Sequence, residues 1–430
     1  MEKFIRDAIM SHMENNNLFT THQHGFRKKR SCVTQLIEVI EDWTRELDKG
    51  NNIDSIYLDF QKAFDKVPHK RLTEKRKGYG ISGCLLTDRK QRVVLNGSES
   101  EWTDVTSGIP QGSVLGPTLF LLYINDLPDV VNNIVKLFAD DTKLYSVVNT
   151  NAEQDRMQND IDKLQEWSDK WLLKFNTTKC KHLHLGNSPA PIYYMNHLTL
   201  EHSTCEKDLG ISIDSKLKFQ EHINKQIKKA NSKLGIIRRS LSYLDKNIFL
   251  TLYKSIVRPH LEYGSSVWSV IYKKEAIGIE NVQRRATKLI RSISHLTYPE
   301  RLKTLGLPTL QYRRLRADMI QVYRILKGVD TIQNHTNILP ISNSITRGHS
   351  LKISKQYCRT NVRKFSFSQR IVDCWNALPD NVVNATSVNS FKSQINKYWK
   401  DFNLKFVPDC YEPEAERNTT RRNGSERQCL

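Results

Sequence analysis

Leu137-Phe138-Ala139-Asp140-Asp141-Thr142-Lys143-Leu144-Tyr145 sets two adjacent carboxylates between two apolar runs, 134–139 and 144–148. Two β-favouring runs joined at polar residues read as a hairpin. Like charges held side by side at a tight turn repel and call for a positive partner. Hard oxygen ligands suit a divalent metal such as Mg²⁺. An Asp-Asp pair is also an ordinary turn sequence, so the metal reading needs a third carboxylate and a cleft.

Upstream, residues 53–60 alternate. Ile56, Leu58 and Phe60 point one way, and Ser55, Tyr57 and Asp59 the other. Asp59 is thereby a carboxylate on the open face of a strand. If that strand and the hairpin share one sheet, Asp59, Asp140 and Asp141 converge. Two divalent ions clamped by such carboxylates stabilise the attacking and leaving oxygens of phosphoryl transfer. Between them, Ser107-Gly108-Ile109-Pro110-Gln111-Gly112-Ser113-Val114-Leu115-Gly116-Pro117 is a Gly/Pro loop that launches a helix at Pro117. Gln91-Arg92-Val93-Val94-Leu95 reads as a strand ending at the turn Asn96-Gly97.

Further helices are expected over 1–20, over 31–48 with Ser31 as the cap, and over 153–172 with Ile161, Leu164, Trp167 and Trp171 on one face. Cys180, His182 and His184 would share one strand face, a metal-type trio that lacks the fourth ligand of a structural zinc site. From Phe219 onward the chain is helical and basic, with Lys225, Lys228, Lys229, Arg238 and Arg239 beside an apolar stripe. About half of such charges are expected to be plain solvated faces.

The chain has 430 residues, 38% of them hydrophobic, and a net charge of +20, with a pI of about 9.5. That length suits two or three domains, and that charge suits a polyanionic partner such as nucleic acid. No run approaches the ~18 apolar residues of a membrane span, and the first residues lack a signal-peptide core. Eight scattered cysteines fit free thiols of a reducing compartment. The protein is therefore expected in the nucleus and/or cytoplasm and not secreted, with Arg27-Lys28-Lys29-Arg30 as a basic run suited to nuclear entry.

Tyr57-Leu58-Asp59-Phe60-Gln61-Lys62-Ala63-Phe64-Asp65, the Gly/Pro loop and Phe138-Ala139-Asp140-Asp141 resemble the palm motifs of reverse transcriptases. More narrowly they resemble non-LTR retrotransposons of the jockey and chicken-repeat type. Gln23-His24-Gly25-Phe26-Arg27 resembles a fingers motif, and 171–180 and 208–211 resemble the motifs that follow the palm hairpin. Arg258-Pro259-His260-Leu261-Glu262-Tyr263-Gly264 and Val372-Asp373-Cys374-Trp375-Asn376-Ala377-Leu378-Pro379 resemble thumb and C-terminal segments. The similarity spans roughly 20–400, and several motifs in order are far more specific than any one.

The resemblance implies an α+β, right-hand polymerase fold: a palm with an antiparallel sheet, partial fingers, a helical thumb and a small C-terminal unit. Its implied boundaries are 1–52 for partial fingers, 53–215 for the palm and 216–330 for the thumb. A linker over 331–350, a C-terminal unit over 351–402 and a disordered tail over 403–430 follow. It implies RNA-directed DNA synthesis from dNTPs on an RNA template and a DNA primer or target, with two Mg²⁺. Asp59 and Asp140 would bind metal with help from Asp141. Phe64 would reject a 2′-hydroxyl, Gln111 and Gly112 would position the nucleotide, Lys179 would act as general acid, and Arg27 would meet the triphosphate. Against the family pattern, the chain begins inside the fingers, the segment 85–90 is short, and Arg76 stands where an apolar residue is usual. The alternative is a catalytically inactive, nucleic-acid-binding remnant.

Overall fold

The computed structural model describes residues 1–82, 86, 89–241, 243–268, 270–342 and 348–408. Residues 85, 87 and 88 of the short segment and most of the expected tail, from 409 on, lie outside the described residues. In chain order, α1 (Glu2–Asn15) and α2 (Cys32–Lys49) precede β1 (Ile53–Leu58) and α3 (His69–Gly78). An arm follows, formed by β2 (Lys90–Gln91), β3 (Val94–Leu95), β4 (Ser98–Glu99) and β5 (Thr103–Asp104). Next come α4 (Gly116–Ile124), β6 (Ile134–Phe138), β7 (Asp141–Val147), α5 (Asn151–Trp171) and β8 (Lys181–Leu185).

The chain forms two compact units, one of 1–35 and 50–206, the other of 36–49 and 207–430. This division departs from the boundaries read off the sequence. Helix α2, expected in the fingers, packs with the second unit, because Glu41 is buried there against Arg363 at 2.6 Å and accepts from Ser368 N–H at 2.8 Å. A buried carboxylate needs such donors, and they arrive from more than 300 residues away. The expected linker is packed as well: Ile332, Ile338 and Leu339 are buried.

The first unit is built on a five-stranded sheet. With β9 (Tyr194–Met195), β10 (Leu198–Thr199) and β11 (Glu201–Ser203) counted, its order is β11-β8-β1-β7-β6. β1 lies between β7 and β8, antiparallel to both, while β11 runs parallel to β8. Ile56, Leu58 and Phe60 are buried as the alternation required. They join Leu119, Leu122, Ile161, Leu164 and Trp167 in one core. Helix α5 starts at a full capping box, Thr150 with Glu153. Arg76 lies in the last turn of α3 and is 5% exposed. The arm closes at Asn96-Gly97, both at positive φ, the geometry that favours Asn-Gly.

The second unit is mainly helical. After β12 (Cys205–Asp208) and β13 (Ile211–Asp214) come α6 (Gln220–Ser240), α7 (Lys246–Leu252), α8 (Arg258–Glu262), α9 (Lys273–Thr287), α10 (Tyr298–Leu305) and α11 (Leu310–Leu326). Asp214 accepts the N–H of Phe219 at 2.6 Å and turns the chain into α6. Lys225, Lys228, Lys229, Arg238 and Arg239 are exposed. Arg313 is engaged instead by Glu262, with Nη2 at 2.9 Å. No helix among the described residues is long and apolar enough to cross a membrane.

Candidate active site

Phe138 pairs with Asp141, leaving Ala139 and Asp140 as a two-residue hairpin loop. Ala139 has φ 55° and Asp140 is not in the left-handed region. That pattern belongs to a II′ turn, whose first central position normally takes glycine. An alanine there costs about 1–2 kcal/mol locally, so other contacts must hold it.

The pairing of β1 with β7 ends at Leu58 and Thr142, so the next register step sets Asp59 level with Asp141. Residues directly opposite share a face. Asp140 is half-buried, and burial, followed by the negative charge of Asp59, raises its pKa. Asp59 Oδ2 is buried and makes no hydrogen bond. A half-buried Asp140 whose charge is opposed by Asp59, with an Asp59 oxygen that accepts no hydrogen bond, is a donor set that fits a divalent cation. Asp141 is exposed beside them.

Lys179 reaches this spot through a continuation of the sheet. Phe60 bridges Phe175, their rings stacked at 4.4 Å, and Asn176 N–H donates to Asp59 O at 2.7 Å. The turn after Asn176 then brings Lys179 Nζ to 3.8 Å from Asp59 Oδ2. Cys180 lies against the Asp59 backbone, its Sγ accepting the Asp59 N–H at 3.5 Å, and burial pushes the thiol up to about 11.

The Gly/Pro loop docks on the connection after Asp59. Ile109 N–H donates to Phe64 O at 2.7 Å, Gly108 N–H to Val67 O at 2.9 Å, and Gln111 Nε2 to Asp65 Oδ1 at 2.7 Å. Gly108, at φ +92°, passes Asp65 O so closely that a Cβ would sit 3.0 Å from it. Phe64 is partly buried and stacks on Phe120 at 4.5 Å. Gln111 and Gly112 are exposed. Phe64, Asp65 and Gln111 are thus brought together. Asp65 had no role in the sequence reading.

Arg27 lies over the Phe19 ring at 4.1 Å and donates to Thr20 O at 3.4 Å. It lines a cleft of about 420 Å³ together with Arg6, Met10, Val114 and Pro117, so it faces the Gly/Pro loop. Burial and the neighbouring Arg30 lower its pKa to about 10, which leaves it charged at neutral pH.

Cys180, His182 and His184 do not gather. His182 Nε2 and His184 Nδ1 instead meet Asp54 Oδ1 at 2.8 and 2.7 Å, and Tyr193 donates to Asp54 Oδ2 at 2.7 Å. Asp54, His182 and His184 form a buried metal-type group among the described residues, with Asp54 where the sequence reading had Cys180. Although burial opposes its charge, these bonds hold the Asp54 carboxyl down at about 2. The period-2 alternation already put Asp54 on the inner face with Ile56, and an inward carboxylate demands donors.

The chain is similar to known proteins. Residues 1–233 match the family described as "Reverse transcriptase (RNA-dependent DNA polymerase)". The chain belongs to the reverse transcriptase family. It is 29% identical over 306 residues to a probable RNA-directed DNA polymerase from transposon X-element of Drosophila melanogaster, covering 67% of this chain and 34% of that protein. It is 30% identical over 318 residues to the RNA-directed DNA polymerase from mobile element jockey of Drosophila funebris, covering 68% and 34%. The chain thus spans about a third of the length of these relatives. A telomerase from Candida albicans, solved with a fragment of telomeric RNA, aligns over 67% of this chain and 55% of its own at 12% identity and a TM-score of 0.35. The fold is of the α+β polymerase class, with the five-stranded sheet at the centre of the first unit.

Proposed function

We propose that this chain is the polymerase portion of a non-LTR retrotransposon and extends a DNA 3′ end on an RNA template with dNTPs. The observation that carries this reading is the meeting of Asp59 and Asp140 at the ends of adjacent strands, with Asp59 Oδ2 buried and accepting no hydrogen bond. Asp59, Asp140 and Asp141 would hold Mg²⁺, expected as two ions. Bound there, the metal supplies charge stabilisation at the primer oxygen and the departing phosphate.

The chain's own groups do the rest. Lys179, an exposed ammonium 3.8 Å from Asp59, is placed to give a proton to the leaving pyrophosphate. Phe64, stiffened by Phe120, offers a flat wall against which a 2′-hydroxyl would collide. Gln111, tied to Asp65, and Gly112, which has nothing within 4 Å of a notional Cβ, leave room for a nucleotide beside the loop. Arg27 offers a charged fork to phosphate oxygens. The exposed cations of α6 suit the backbone of a nucleic-acid duplex. The exposed Lys28 and Lys29 suit a protein that works in the nucleus and/or cytoplasm.

The test is primer extension on poly(rA) with Mg²⁺, comparing folded wild type with Asp140→Asn. Extension that Asp140→Asn abolishes supports the polymerase. Salt-dependent binding to primer–template without extension by wild type establishes the nucleic-acid-binding remnant instead.

A further inference from the structure

We infer that Gln23 is a positioning residue for the catalytic hairpin, holding the left-handed Ala139 so that Asp140 is aimed at Asp59. The inference rests on the polymerase reading above for its consequence, but not for its geometry. Gln23 is 2% exposed. Its Oε1 accepts the N–H of Ala139 at 2.9 Å, and its Nε2 donates to the carbonyl of the same residue at 3.2 Å. Both polar groups of the one strained residue in the turn are thus taken by one side chain from 116 positions away. Oε1 also accepts Gly25 N–H at 2.7 Å. Two N–H groups and one carbonyl leave only one orientation for the amide.

The main chain of the same segment locks the site from the side. His24 N–H donates to Leu137 O at 2.8 Å and Leu137 N–H to His22 O at 3.0 Å, so residues 22–24 run beside β6 as a short parallel edge. Asn125 fixes the approach, accepting Thr20 N–H at 2.9 Å and donating to Leu18 O at 2.7 Å. A hairpin turn with an alanine in the glycine position is free to relax unless it is held. The clamp is thus the contact that makes this backbone conformation the stable one.

The test compares wild type, Gln23→Met and Gln23→Glu as the full chain. Methionine matches the length of glutamine without hydrogen-bonding atoms. Glutamate keeps an oxygen for Ala139 and Gly25 but cannot donate to the Ala139 carbonyl. Amide hydrogen exchange across 137–142 should be at least ~10-fold faster in Gln23→Met, with the rest of the palm unchanged. The extension rate should fall at least ~10-fold, with KM for dNTP within about twofold and the Mg²⁺ midpoint raised. Gln23→Glu should fall between.

Unchanged exchange at 137–142 overturns the clamp. Faster exchange with an unaltered rate and Mg²⁺ midpoint overturns the positioning role. If wild type extends no primer, the polymerase reading fails by itself. The inference is then decided by the exchange comparison and by Mn²⁺ titration followed by electron paramagnetic resonance. Weaker Mn²⁺ binding in Gln23→Met supports the positioning role, and equal binding overturns it.

Discussion

Gly25→Ala probes the same contact from the backbone side. A Cβ built on Gly25 would sit 2.3 Å from Ala139 N, 3.0 Å from the Phe138 carbonyl carbon and 3.1 Å from Ala139 Cα. Ordinary contact begins near ~3.5 Å, so the two segments must part by about 1 Å. All three obstructing atoms are backbone, and no side chain can swing away. Parting by that much stretches the Gln23–Ala139 bond of 2.9 Å and the His24–Leu137 bond of 2.8 Å beyond bonding range. Overpacking costs about 1–3 kcal/mol, and each buried group left unpaired a similar amount. Partial relaxation leaves a net loss of about 3 kcal/mol, or roughly 6–12 °C in Tm for a unit of this size. Because Asp140 follows Ala139 directly, the same shift should lower single-turnover extension about 100-fold. Gly78→Ala is the control: nothing lies within 4 Å of its notional Cβ, and it should stabilise by about 0.4–1 kcal/mol or do nothing. Calorimetry and rapid-quench extension read the two effects. A Gly25→Ala protein that matches Gly78→Ala in Tm and rate would refute the close approach and the role assigned to it.

Three other predictions concern charge. Asp140→Asn should abolish extension yet leave Tm in the absence of metal equal or higher, because burial and Asp59 both oppose the Asp140 charge; a fall of several degrees in differential scanning would contradict this. His222 is 1% exposed, accepts Ser212 N–H at 3.2 Å, and is lowered to about 4 by burial and then by Lys229 and Lys225. The folded state therefore binds fewer protons than the unfolded chain between pH 6.5 and 4, and stability falls by about 3 kcal/mol as pH drops through that window. Urea unfolding against pH should show this limb, and His222→Gln should flatten it. Lys75 Nζ, its side chain 3% exposed, meets Asp126 at 2.5 Å and the ring of Trp171 at 3.9 Å. Burial lowers its pKa to about 8. Asp126→Ala removes the counter-charge and leaves the buried ammonium with only the Tyr123 carbonyl at 2.5 Å as acceptor, which should cost about 3–5 kcal/mol. Lys75→Met, which leaves the partly exposed Asp126 to water, should cost less than half as much in equilibrium unfolding; the opposite ranking would sink the idea.

Much of the site was written locally. The apolar runs around Asp140 and Asp141 specify a hairpin, and the alternation from Ile53 to Phe60 specifies which way Asp59 looks, because strand period and turn chemistry act over a few residues. The helices after Phe219 were equally plain, since an apolar stripe beside lysines is a local pattern. Motif order carried the family.

Tertiary structure alone decided who meets whom. The strand order that puts β1 between β7 and β8, and so Asp59 beside the hairpin, joins segments about 90 and about 130 residues apart. Gln23 reaching Ala139, Glu41 reaching Arg363, and Asp54 taking both histidines in place of Cys180 follow the same rule. A buried polar group must find its partner wherever the packed core brings one, and sequence distance sets no preference among candidates. Local pattern therefore determined the elements and the orientation of the acids. The closing of those elements around one another determined the candidate site.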